Sequence, residues 1–121
     1  MRPRIALGEI TVDCSQPDRV ARFWSALLDA PEHAGDNGWH ELGPLTREGP
    51  KLNFQPVPEP KAGKARVHLD LWVDDLDGAI ELVEELGGRR LEAVRTFPQG
   101  RVIVMADPED TEFCLVALPA G

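Results

Sequence analysis

From Arg4 to Cys14 the apolar residues alternate loosely, at Ile5, Leu7, Ile10 and Val12, within a run rich in β-branched side chains. That pattern predicts a strand. The spacing then turns helical. Val20, Phe23, Trp24, Leu27 and Leu28 fall on one stripe, which predicts an amphipathic helix packed on a sheet, with Phe23 and Trp24 in the core. Ser15 is placed to cap it, Pro17 suits its first turn, and Asp18 favours its positive end. Pro31 ends it. Residues 32–38 read as a polar loop. Trp39 to Leu42 and Leu45 to Arg47 read as short strands around a Gly43-Pro44 turn, and Lys51 to Val57 as a further extended run.

The second half repeats the plan. Arg66 to Val73 reads as a strand, and Asp74 or Asp75 caps a helix whose apolar face is Leu76, Ala79, Ile80, Val83 and Leu86. Gly87-Gly88 ends that helix. Arg90 to Thr96, Arg101 to Ala106 and Glu112 to Leu118 are strand candidates, with turns at Pro98–Gly100 and Asp107–Asp110. Each half is therefore β-α-β-β-β. The two halves share a register: Glu9 matches His68, Gln16 matches Asp75, Asp18 matches Asp77 and Trp24 matches Val83, at a constant offset of 59. Between the halves, residues 56–65 carry three prolines and a glycine, a composition that suits a connector. The predicted organisation is one domain over 1–121: module one about 4–57, a linker at 58–65 and module two about 66–118.

Length and charge narrow the partners. A chain of 121 residues is long enough for a real core. Its 21 acidic against 13 basic residues leave a formal charge of -8, which disfavours nucleic acid and anionic membrane surfaces. Cys14 and Cys114 both lie in apolar β-like runs and read as small buried hydrophobes rather than a disulfide. The N-terminal apolar run is broken by Glu9, and it lacks the apolar core and small-residue cleavage site of a secretion signal. The expectation is a cytoplasmic protein.

Four segments carry a family resemblance: Val12–Trp24 (VDCSQPDRVARFW), Leu52–Gln55 (LNFQ), His68–Asp75 (HLDLWVDD) and Asp107–Val116 (DPEDTEFCLV). In order, spacing and duplication the chain resembles the vicinal oxygen chelate superfamily, which holds glyoxalase I, bleomycin-resistance proteins and extradiol dioxygenases. The resemblance implies an α+β fold of two tandem βαβββ modules whose sheets curl around one site. Metal-bearing members of that superfamily hold a divalent ion by residues on the first and last strands of each module, while others lack it, so the cofactor here is either a divalent ion or none. Carried to this chain, those positions are Glu9, His68, Cys114 and one of Asn53, Phe54 or Gln55.

His68 and Glu9 are suitable metal ligands, and Cys114 would be a soft one. Without a metal, His68 and Glu9 form a candidate acid–base pair. Period-two alternation sets Asp70 and Trp72 on the face that carries His68. Asp70, Trp72, Trp39, Phe54, Gln55 and Cys114 are the candidate ligand-binding residues. Arg89-Arg90 reads as a charged strand edge. Two functions stay open: a glyoxalase-like, lyase- or isomerase-type enzyme moving a proton on a small carbonyl or hydroxy compound, and a metal-free protein that sequesters a small ligand. A homodimer is expected in either case.

Overall fold

The computed structural model describes residues 2–98 and 100–119. The chain separates into two compact units, one up to Pro60 and one from Lys61 onward.

In the first unit the order is β1 (Glu9–Cys14), α1 (Pro17–Leu28), β2 (Glu32–Ala34), β3 (His40–Leu42) and β4 (Lys51–Pro56). The sheet order is β1-β4-β3-β2, with β1 parallel to β4 and the other pairs antiparallel. Register partners in a ladder share a face. Ile10, Val12 and Cys14 therefore join Leu52, Phe54 and Leu42 on the apolar face, against the buried Val20, Ala21, Phe23 and Trp24 of α1. Phe23 and Trp24 meet edge to face, with ring centroids 5.4 Å apart. Glu9, Thr11 and Asp13 line up with Lys51, Asn53 and Gln55 on the opposite face.

Three local expectations change here. The first strand starts at Glu9 rather than Arg4, and Ile5 and Leu7 before it are exposed. The segment expected as a polar loop contains β2, which pairs with β3 and is tied to it by a 2.9 Å contact between His40 Nδ1 and Glu32 Oε1. No apolar alternation marks Glu32-His33-Ala34, because the strand is made by its neighbour's backbone groups and not by burial. Conversely, Leu45–Arg47 is not a strand. Leu45 N–H donates to Pro50 O at 3.0 Å and Gly49 N–H to Thr46 O at 3.3 Å, closing a loop instead. The βαβββ order survives with a different middle strand.

The second unit runs β5 (Leu69–Val73), α2 (Leu76–Glu85), β6 (Arg89–Arg90), β7 (Arg95–Phe97), β8 (Gly100–Ala106) and β9 (Glu112–Ala117). Its sheet order is β5-β9-β8-β6, with β7 also on β8. The single strand expected over Arg90–Thr96 is thus two short pieces on the same partner. Asp75 caps α2 as expected, its Oδ1 accepting from Gly78 N–H at 3.1 Å. The helix ends where the glycines stand. Gly87 adopts φ 104, Gly87 N–H donates to Glu84 O and Gly88 N–H to Val83 O, the paired bonds of a Schellman cap. Gly100 is also required, since at φ 142 a β-carbon would collide with the Ala117 carbonyl oxygen. The core of this unit is Leu76, Ile80 and Val83 of α2 with Ile103, Met105, Phe113 and Leu115. Arg89 and Arg90 pair with Asp110 and Glu84 on the exposed edge.

Candidate functional site

The other face of the second sheet carries the chemistry. Asp70 pairs in register with Cys114, Trp72 with Val116, and Cys114 in turn with Val104. His68 stands one residue before β5. His68, Asp70 and Cys114 border a cavity of about 570 Å³, floored by Val102, Val104 and Val116 and rimmed also by Lys64, Glu92, Arg95 and Glu112. An apolar floor with a few convergent polar groups is the usual make-up of a small-molecule site.

His68 Nε2 lies 3.2 Å from Asp70 Oδ1, and both side chains are about half exposed (50% and 55%). Cys114 is buried at their side. Burial first, and the negative charge of Asp70 second, push its thiol pKa up, so the thiol stays protonated near neutral pH. Both cysteines are free.

Glu112 is the anchored carboxylate of the cavity. Lys61 Nζ sits 2.8 Å from Oε1, and Ala65 N–H donates to Oε2 at 2.9 Å. The Lys61 ammonium, more than the opposing burial, holds the Glu112 carboxyl below its ordinary range. A carboxyl whose pKa is depressed on folding adds stability above its unfolded pKa, about 4.3, and loses it as pH falls through the folded value. Glu112→Gln is therefore expected to flatten the acid limb of stability below about pH 4.3, read from urea titrations at a series of acid pH values. Identical acid slopes for the two proteins would refute the linkage.

The structure distributes the expected site residues unevenly. His68, Asp70 and Cys114 come together in the cavity. Trp72 shares their face but stands 78% exposed on the edge strand β5, outside the lining. Glu9 is exposed on β1 of the first unit, opposite Lys51. Trp39 is half-buried in the turn before β3, where its N–H donates to Asp36 O. Register divides the three candidates on β4 between two faces. Asn53 and Gln55 share the face of Glu9, whereas Phe54 is fully buried on the face toward α1, a core residue rather than a ligand contact. Asn53 is buried too, and its Oδ1 has no hydrogen-bond partner among the described residues. Glu112 was not anticipated, although alternation from Cys114 puts it on the same face.

This is an α+β fold of two βαβββ modules, with a cavity on one sheet face of the second. The chain belongs to the Glyoxalase-like domain family, whose profile matches residues 9–116. No curated protein matches it by sequence. Solved structures share the fold at low identity. A glyoxalase/bleomycin resistance protein/dioxygenase family enzyme from Burkholderia phytofirmans superposes with TM-score 0.80 at 14% identity, covering 95% of this chain and 100% of that one. The fosfomycin resistance protein FosX from Mesorhizobium loti gives TM-score 0.73 at 21% identity, over 94% and 92% of the two chains. A variant FosX from Listeria monocytogenes, solved with Mn(II) and 1S,2S-dihydroxypropylphosphonic acid, gives 0.75 at 18%, over 94% and 90%.

A metal is thus known in one structural relative, and the donors present here bear on it. Ligand atoms of His68, Asp70 and Cys114 all lie within 4.8 Å of one another. Nitrogen, carboxylate oxygen and sulfur are all metal donors, so the residues fit a divalent ion.

Proposed function

We propose that the protein binds a small carbonyl or hydroxy compound in the second-unit cavity and moves a proton on it, a lyase- or isomerase-type reaction. The observation that carries this reading is the 3.2 Å approach of His68 Nε2 to Asp70 Oδ1 at the cavity rim. A carboxylate this close to one ring nitrogen would hold the imidazole's orientation and leave the other nitrogen to exchange a proton with substrate. Val102, Val104 and Val116 hold the carbon skeleton, while Arg95 and Lys64 favour an anionic group on the ligand. A divalent ion held by His68, Asp70 and Cys114 would supply polarisation of a substrate oxygen.

A second reading is metal-free sequestration of a ligand. Its support is that His68 and Asp70 are half open to solvent, whereas proton-transfer sites gain from excluding water. Two further parts of the proposal are a cytoplasmic setting, which the two free thiols suit, and a homodimer, which the bare indole of Trp72 on an edge strand suits.

The test starts with a thermal-shift and NMR screen of small carbonyl and hydroxy acids in the presence of chelator. Hits are then followed in D₂O for exchange of carbon-bound protons. Exchange that slows about 100-fold or more in His68→Ala, with binding retained, is the expected result. Hits that bind without exchange would replace the enzyme reading with sequestration. Exchange as fast in His68→Ala as in the native protein would remove His68 from the chemistry.

A further inference from the structure

The cavity has one wall of a different kind from the rest. Val102, Val104 and Val116 of its floor are held in the antiparallel β8–β9 ladder. Lys64 and Ala65 also line it, but they belong to residues 61–66, which lie in no helix or strand. Among the described residues, 61–66 make no backbone–backbone hydrogen bond. The attachments of this strap to the sheet converge on a single side chain. Lys61 Nζ lies 2.8 Å from Glu112 Oε1, and Ala65 N–H donates to Glu112 Oε2 at 2.9 Å. Lys61 also donates to Gly63 O, which rounds the strap into a turn.

We propose that residues 61–65 are a gate on the second-unit cavity, latched by the Glu112 carboxylate, and that release of this one side chain opens the cavity to a small ligand. That the ligand is a substrate rests on the functional reading above.

Three features make the segment a gate rather than a fixed wall. Its anchor is rigid and its body is not: Glu112 is the first residue of β9, in register with Ala106 of β8, whereas a stretch without ladder bonds opens locally at little cost. Both attachments use the same carboxylate, one on each oxygen, so losing it frees the strap at two points at once. Finally, Gly63 lies between those two points with φ 75, and no atom stands within 4 Å of where its β-carbon would be. The strap therefore has a pivot residue and open space to swing into. Segments that close over a ligand and govern its entry and release have this make-up.

The test uses the full chain with no ligand. Cys114 lines the cavity, so its alkylation by iodoacetamide reports entry, and peptide mass spectrometry separates it from Cys14, which is buried in the first unit. In Glu112→Gln, Cys114 should be alkylated about tenfold faster or more, with Cys14 unchanged. Lys61→Met removes one attachment and should give a smaller rise, about threefold. It also controls for charge. Losing a cation near the thiol would by itself disfavour the thiolate and slow alkylation, so acceleration in this variant comes from opening. By NMR, the Ala65 amide should exchange slowly in the native chain and lose that protection in Glu112→Gln, while amides of β8 keep theirs. Equal Cys114 alkylation in the native chain and both variants would overturn the proposal. So would a rise shared by Cys14 and Cys114, which marks general loosening, or slower alkylation in Lys61→Met. Should Glu112→Gln fail to fold, Lys61→Met decides alone. None of these measurements needs ligand or turnover, so the gate and the functional reading can fail separately.

Discussion

Phe54→Ala is expected to destabilise the protein by about 3–5 kcal/mol, the range for removing a fully buried aromatic ring. Phe54 has no exposed surface. It pairs with Val12 on one side and His40 on the other, in the middle of the first sheet. Its ring lies on the apolar face with Leu52 and Leu42, the face that packs against α1. Truncation removes the transfer energy of the ring and leaves a cavity that backbone on both sides keeps from collapsing. Urea unfolding would measure the loss. A conservative Phe54→Leu should recover more than half of it. The substitution also separates two roles for this position, because a ligand-contact residue would lose binding without losing stability. A loss below about 1 kcal/mol would mean that the ring is not a core element.

Asp107→Ala is expected to cost about 2–4 kcal/mol, since a buried carboxylate that accepts hydrogen bonds from Glu109 and Thr111 N–H is lost. Asp107 is 1% exposed. Its Oδ1 accepts from Glu109 N–H at 2.9 Å and from Thr111 N–H at 3.0 Å. Its own backbone N–H donates to Thr111 O, and its carbonyl accepts from Asp110 N–H. One side chain thus holds the turn that joins β8 to β9, with Asp110 in the left-handed region at φ 69. Asp107→Asn keeps an oxygen acceptor and should cost no more than about 1 kcal/mol. Thermal unfolding of the two variants would check this, and equal melting temperatures for Asp107→Ala and the native chain would contradict it. The consequence reaches the site. This turn sets the register of β9, and a slip of one residue would carry Glu112 and Cys114 to the helix face.

The elements with strong local signals were legible from the sequence. Asp75, with Gly87 and Gly88, marked both ends of α2, because a carboxylate cap and a left-handed glycine are local chemistry. Strand β2 was not legible, because Glu32-His33-Ala34 buries little and is held by its ladder with β3 and by the Glu32–His40 contact, neither of which leaves an apolar alternation. Leu45–Arg47 misled in the opposite way. Its leucine suggested a strand, but the bonds of Leu45 to Pro50 and of Gly49 to Thr46 close a loop.

For the site, the sequence by itself determined the duplicated βαβββ plan and the strand face carrying His68 and Asp70. Both follow from periodicity and spacing, which are properties of neighbours in the chain. Only the tertiary structure decided the rest. It made Asp70 the carboxylate that meets His68, brought Cys114 beside them across the β5–β9 ladder, tied Glu112 to Lys61, and turned Phe54 into the core. Each of these depends on which strands pair and in what register. Parallel pairing joins residues more than forty positions apart, and no local pattern encodes the choice of partner.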